Sequence, residues 1–140
     1  MAFEITRDLP LAFTALMTAI LFLQSSLDKV ADWKGNLDFL TSHFAKTPLA
    51  GFVPVMLITI TIMEMATGVA SVVGLGYLLA TGSSVVLFYA SIVGSAALCG
   101  LFFGQRVAKD YPGAAVLVPY FLLLILMMLL SRPSGSIAGV

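Results

Sequence analysis

The sequence has little charge, a single cysteine and a single histidine. Only 10% of its 140 residues are charged and 60% are hydrophobic, whereas about a quarter of the residues in soluble proteins are charged. No formally charged residue occurs between Glu64 and Arg106. Because a helix of about 20 apolar residues crosses a bilayer core, this stretch has room for most of two crossings. The composition therefore predicts an integral membrane protein.

The same scarcities exclude several kinds of site. With Cys99 as its only cysteine and His43 as its only histidine, the chain forms no internal disulfide and has no cysteine pair for redox chemistry. Too few ligands of these types remain for a zinc site. The formal net charge is zero and the basic residues are scattered, which argues against nucleic-acid binding. We therefore expect neither a metal site nor a nucleic-acid partner.

Long apolar runs predict four membrane-spanning helices. They cover about residues 9–27, 52–73, 83–103 and 113–130. A helix is favoured over a strand because a lone strand in lipid leaves its backbone unpaired, and a barrel strand alternates in polarity. We expect the turn between the second and third spans to lie within residues 74–84, and a flexible tail at 133–140. The predicted fold is all-α, an integral membrane four-helix bundle.

The stretch after the first span is amphipathic. Its apolar residues recur at intervals of three and four, with polar residues on the other side. Trp33 suits the depth of the lipid headgroups. We predict an interfacial helix over about residues 30–45, lying in the membrane surface or folded back over the end of the bundle.

Small residues in the third span predict close helix packing. Ala96, Gly100 and Gly104 repeat at four-residue spacing, and serines with Cys99 form a neighbouring strip. Small side chains let helix backbones approach one another in lipid, where the hydrophobic drive for association is absent. We interpret Cys99 as a small, buried packing residue and not as a reactive thiol.

The basic residues favour one orientation in the membrane. Five lysines and arginines lie at the connections after the first and third spans, and two, Arg7 and Arg132, lie near the termini. By the positive-inside rule, those connections face the cytoplasm and both termini lie outside it.

Glu64 is the deepest ionisable residue of the predicted bundle. It lies about twelve residues into the second span, or about 18 Å from the polar end at about 1.5 Å per residue. A charged side chain at that depth costs about 2.5 to 3.5 kcal/mol on insertion scales, so Glu64 should face the bundle interior. Burial favours the neutral acid unless a cation reaches it. We expect Lys29 and Arg106 to reach only part of the way.

Two interpretations of Glu64 stay open. Either the protonated acid hydrogen-bonds across helices and fixes their register, or it serves a site for protons, a quinone-like headgroup or a small polar ligand. The further candidates for such a site are Gln24, Tyr89 and Tyr120. We expect both tyrosines to lie at a depth similar to that of Glu64.

Other polar residues should converge at one end of the bundle, where two spans end and two begin. The residues of this polar mouth are Lys29, Gln105, Arg106, Lys109, Asp110 and Tyr111. Lysine and arginine at such a place often do no more than extend to the interface. The concentration of charge at a single mouth is what indicates a site.

Several motifs resemble those of the DoxX family of small four-helix bacterial membrane proteins. They are SSLDK at 25–29, the Asp/Trp/Gly segment that follows, EMATG at 64–68 and QRVAKDYPGA at 105–114. The first departs from the family's usual small-Gly-x-x-Lys form, because Ser26 stands where glycine is common. The resemblance spans nearly the whole chain. It implies a multi-pass protein of the bacterial inner membrane linked to redox complexes, with Lys29, Glu64 and Asp110 as functional positions.

The leading hypothesis is an accessory subunit of a membrane redox or respiratory complex. The sequence holds no cysteine pair, no haem-ligating histidine pair and no dinucleotide motif, so no catalytic set is complete and no usual electron carrier is expected. A quinone held by Glu64, Tyr89 or Tyr120 is the exception. The expected partners are the lipid bilayer and other membrane subunits or further copies of the chain. The alternatives are a small proton-linked transporter, a quinone-binding protein and a scaffold without a ligand.

Overall fold

The computed structural model describes residues 2–132. Over this range the protein is built from helices, four of which are long and apolar enough to cross a membrane. The helices are α1 (Ile5–Ala31), α2 (Trp33–His43), α3 (Val53–Thr81), α4 (Val85–Val107) and α5 (Tyr111–Leu130), with a short 3-10 helix at Ala50–Phe52. The prediction of an all-α membrane bundle is confirmed. The tail predicted at 133–140 lies outside the described residues.

The transmembrane helices form a ring of antiparallel neighbours. Helix α1 packs on α3, α3 on α4, α4 on α5, and α5 returns to α1. The core of the ring holds large apolar side chains from every one of these helices, including Leu11, Phe22, Leu78, Leu87, Leu124 and Met127. The outward faces are also apolar, as expected for side chains that meet lipid.

All four spans are longer than predicted, α1 and α3 by the most. Helix α1 continues to Ala31, so the polar residues after position 27 are still helical. Helix α3 continues to Thr81, and residues 74–77, predicted to belong to a turn, lie inside it. Gly74 is small for a packing reason, because a Cβ atom there would lie 2.6 Å from Leu87 Cδ2 on α4. The chain turns after Thr81, where Gly82 has a φ of 75°.

Helix α2 is shorter than the predicted interfacial helix at 30–45. Asp32 separates it from α1 and caps it, since the Asp32 carboxylate accepts a hydrogen bond from the Gly35 backbone N–H at 3.3 Å. The helix contacts α1 and α3 at the polar end of the bundle. Phe44, immediately after it, is buried against α4, where a Cβ atom on Gly104 would lie 3.4 Å from the Phe44 ring. Helix α2 is therefore folded back over the bundle end.

The closest approaches between helices are at glycines other than those predicted. At Gly68 on α3, a Cβ atom would lie 2.9 Å from the backbone nitrogen of Leu23 on α1. At Gly94 on α4, it would lie 2.7 Å from Leu124 Cδ1 on α5. These positions permit the close helix contacts that small residues provide in membranes.

The interpretation of Cys99 as a buried packing residue is wrong. Its side chain is exposed, and Ala96 and Gly100 are exposed too, whereas Gly104 is buried. The buried stripe of α4 instead passes through Gly94, Ala97 and Leu98, one helical strip away. Helix α4 is apolar nearly all round, so its sequence carries little signal for which strip faces inward.

Candidate functional site

Glu64 lies on the face of α3 that packs against α1, and only 3% of it is exposed. Its Oε2 accepts a hydrogen bond from Ser25 Oγ at 2.8 Å. Its Oε1 lies 2.8 Å from Lys29 Nζ. This second contact is an ion pair without hydrogen-bond geometry, because no donor among the described residues meets Oε1 in such geometry. Lys29 Nζ also donates to Ser25 Oγ at 2.8 Å. We call Ser25, Lys29 and Glu64 the buried triad.

The helices position the triad in a simple way. Ser25 and Lys29 are four residues apart and therefore share one face of α1. Glu64 and Gly68 have the same spacing on α3, and Gly68 lets the α1 backbone come close to α3. The short side chain of Ser25 reaches the carboxylate because the two helices approach closely there.

The expectation that Lys29 reaches only part of the way to Glu64 is wrong. Helix α1 is still helical at position 29, and long side chains of a helix point back toward its N-terminus, which here means into the bundle. The ammonium therefore enters the bundle alongside Ser25. The buried carboxylate of Glu64 thus has a cation beside it.

The other predicted ligand or proton-site candidates form no described hydrogen bond with the triad. Gln24 is exposed on the outside of α1 and donates to Asp28 Oδ2 at 3.3 Å. Tyr89 is 61% exposed on α4, and Tyr120 packs against the edge of the hydrophobic core. Within the described part of the chain, the polar contacts of Glu64 are those of the triad.

The polar mouth brings together a second group of side chains. Gln105 Oε1 lies 2.9 Å from His43 Nε2, and Asp110 Oδ2 lies 3.7 Å from the same nitrogen. Asp110 also caps α5, since its Oδ1 accepts from the Gly113 backbone N–H at 3.0 Å. These contacts tie the end of α2 to the connection between α4 and α5.

Arg106 and Tyr111 form a pair of their own at this mouth. The guanidinium carbon lies 4.5 Å from the centroid of the tyrosine ring, a cation–π distance. Sequence reasoning placed both residues at the mouth. It missed the role of His43, whose only signal is its position at the end of the amphipathic segment.

A cavity of about 190 Å³ lies beneath α2, between α3 and α4. Its wall is mostly apolar, with side chains such as Phe39, Leu40, Met56, Leu57 and Ile60. Its polar lining residues are Lys29, Asn36 and Gln105. The cavity therefore joins the two polar groups, because Lys29 belongs to the buried triad and Gln105 to the mouth.

The donors in this cavity suit a neutral ligand that accepts hydrogen bonds. An ammonium group has three N–H donors, and the described contacts of Lys29 are to Glu64 and Ser25. At least one N–H of Lys29 is therefore without a partner among the described residues. Among the described residues, no group of three or more His, Cys, Asp and Glu side chains is placed to hold a metal ion.

Comparisons of the chain with family models, with curated proteins and with solved structures found no match. The fold and the site define a multi-pass helical membrane protein with a buried ion pair and a partly enclosed apolar cavity at one end.

Proposed function

We propose that this protein is an accessory, non-catalytic subunit of a membrane redox or respiratory complex, and that it holds a quinone-like headgroup beneath α2. One observation carries this proposal, the apolar cavity of about 190 Å³ that Lys29 lines. The resemblance of SSLDK, EMATG and QRVAKDYPGA to DoxX motifs supports the same class. We therefore also propose that the chain is a DoxX-type protein.

A quinone headgroup fits the chemistry of this cavity. It is a flat apolar ring with carbonyl oxygens that accept hydrogen bonds, and Lys29 and Gln105 supply donors beside an apolar wall. An engineered cavity of about 150 Å³ holds benzene, so the size suits one substituted ring. In this role the protein holds the quinone and does not itself oxidise or reduce it, because the sequence has no motif for a second electron carrier.

A binding measurement tests the cavity. Decylubiquinone added to the purified protein should quench the fluorescence of Trp33, the only tryptophan, in a saturable way. Gly100 lines the cavity, so Gly100→Leu should fill it and weaken binding at least tenfold. Ala96→Leu is the matched control, since Ala96 is exposed one turn away on α4 and does not line the cavity. Non-saturable quenching, or equal affinities in both variants, would contradict the proposal.

Isolation from native membranes tests the assignment as a subunit. In mild detergent, the protein should co-purify with the subunits of one redox complex at a fixed ratio. Recovery alone or only as a self-associated form would argue against an accessory role, even if the quinone measurement succeeds.

The protein is a multi-pass membrane protein, and we propose that it lies in a bacterial inner membrane with both termini outside the cytoplasm. The excess of basic residues at the polar end supports this orientation. In a Cys99→Ser background, an impermeant thiol reagent should label Ser83→Cys on intact spheroplasts and spare Ala45→Cys. The reverse pattern would invert the topology.

A proton-linked transporter remains the second candidate, and one observation favours it. Thr18 Oγ1 and Ser95 Oγ are buried without a hydrogen-bond partner among the described residues, and Glu64 is an ionisable group inside the same bundle. Proteoliposomes containing the protein alone would then conduct protons and lose that activity in Glu64→Gln. Proton flux that matches empty liposomes would remove this candidate.

A further inference from the structure

A second cleft lies at the polar end of the bundle, and basic residues from two different connections line it. Its volume is about 480 Å³, within the range of about 300 to 1,000 Å³ typical of ligand sites. Lys46 comes from the connection between α2 and α3, and Lys109 comes from the connection between α4 and α5. Ser42 and His43, at the end of α2, also line the cleft.

The two lysines of this cleft have no acidic partner among the described residues. None of its described lining residues carries a carboxylate. Neither lysine forms an ion pair with another described residue. The adjacent acid, Asp110, already caps α5 and lies near His43. The cleft is therefore suited to an anion.

The backbone at Lys109 gives a second, independent indication. Helix α4 ends with two hydrogen bonds, from Lys109 N to Arg106 O at 3.1 Å and from Asp110 N to Gln105 O at 2.9 Å. This is the Schellman pattern, in which glycine usually occupies the left-handed position. Lys109 holds that position with a φ of 60°. A lysine there is less favourable for the backbone than a glycine, and strained residues of this kind concentrate at functional sites.

We propose that this basic cleft binds the phosphate group of an anionic phospholipid. The cleft lies at the end of a membrane-spanning helix, the level at which lipid headgroups lie. Basic pockets at helix ends are a known mode of recognising anionic lipid headgroups. Lys46 and Lys109 supply the charge, and the Ser42 hydroxyl is a donor for a phosphate oxygen. The acyl chains would lie along the apolar outer faces of the neighbouring helices.

Native mass spectrometry of the full chain tests this proposal, with phosphatidylglycerol and phosphatidylcholine as probes. The wild-type protein should retain phosphatidylglycerol preferentially. Lys46→Gln combined with Lys109→Asn should weaken that retention about thirtyfold, and either change alone about fivefold. Asparagine is chosen at position 109 because it tolerates the left-handed backbone. Equal retention by the wild type and the double variant, or no preference between the two lipids, would overturn the proposal.

Two controls distinguish lipid binding in the cleft from the effect of net charge and from the effect of misfolding. Lys34→Gln removes the same charge from the exposed side of α2, outside the cleft, and should change retention less than twofold. Lys109→Arg keeps the charge and should keep the lipid. Loss of binding in Lys109→Arg, or an equal loss in Lys34→Gln, would contradict a specific site.

A competition arm distinguishes a lipid from a soluble phosphate. Inorganic phosphate and glycerol phosphate should displace phosphatidylglycerol only at concentrations at least a hundredfold higher than the lipid. Displacement at equal concentration would assign the cleft to a soluble anion and overturn the lipid assignment.

Discussion

Lys29 on α1 and Glu64 on α3 are joined by an ion pair with an Nζ–Oε1 distance of 2.8 Å, yet the two side chains are unequally buried. The Glu64 side chain is 4% exposed, whereas that of Lys29 is 18% exposed and borders the cavity beneath α2. A buried ion pair contributes little net stability, but removing one partner leaves the other uncompensated. Replacing Lys29 and replacing Glu64 should therefore lower the free energy of unfolding by different amounts.

Lys29→Met should destabilise the protein more than Glu64→Gln. The first leaves a carboxylate buried without its cation, which costs about 3 to 5 kcal/mol. The second leaves a lysine that can extend its ammonium toward water, so about 1 to 2 kcal/mol is expected. The double variant should recover most of the loss. Unfolding in a denaturing detergent, followed by helical circular dichroism, gives the free energies. Equal costs for the single variants would contradict this account of the pair.

The adjacent serines provide a matched comparison. Ser25 Oγ donates to Glu64 Oε2 and accepts from Lys29, so Ser25→Ala should cost about 1 to 3 kcal/mol. Ser26 Oγ donates to the Leu23 carbonyl oxygen at 3.2 Å and lies 3.6 Å from Met65 Sδ, and Ser26→Ala should cost less than about 1 kcal/mol. The same unfolding measurement ranks the two variants. A larger loss at Ser26 would show that packing and not the triad dominates here.

The inward orientation of Glu64 could be predicted from the sequence, whereas its partners could not. A carboxylate inside a long apolar run has only one inexpensive direction, toward the interior of the bundle. Its partner depends on how far α1 continues beyond its apolar run. Helix α1 extends to Ala31 and so includes Asp28 and Lys29. Hydropathy does not predict that end, because the apolar run stops before it.

For the two predicted tyrosines, the sequence indicated the depth in the membrane but not the direction in which the side chain points. Position along a helix fixes depth, and it placed Tyr89 and Tyr120 near the level of Glu64. Whether a side chain points into the bundle depends on which side of its helix packs against other helices. The sequences of α4 and α5 do not indicate that side, because both helices are apolar nearly all round. Neither sequence therefore marks its inner side, and Tyr89 faces outward. The polar mouth was easier to predict, because chain connectivity alone brings Gln105 and Asp110 to that end.

Gly68 should be the least replaceable glycine of α3. A Cβ atom there would meet both the side chain and the backbone nitrogen of Leu23, at 2.8 and 2.9 Å. Gly68→Ala should therefore push α1 from α3 and cost about 1 to 3 kcal/mol. Gly76→Ala on the same helix meets open space and should be neutral or stabilising by up to about 1 kcal/mol. Equal stability of the two variants would refute the close contact at Gly68.

His43 should hold the end of α2 over the bundle. Its ring lies 2.9 Å from Gln105 Oε1, stacks on Phe39 and meets Phe44 edge-on. In His43→Ala these contacts are lost, and hydrogen exchange of the α2 amides should rise about tenfold, as a loss of about 1.4 kcal/mol would cause. Thr41→Ala is the control, because the one described hydrogen bond of the Thr41 hydroxyl is to the Leu37 carbonyl within α2. Since α2 covers the cavity that Lys29 lines, His43→Ala should also speed ligand release, measured by stopped-flow quenching. Unchanged exchange with normal folding would contradict this role of His43.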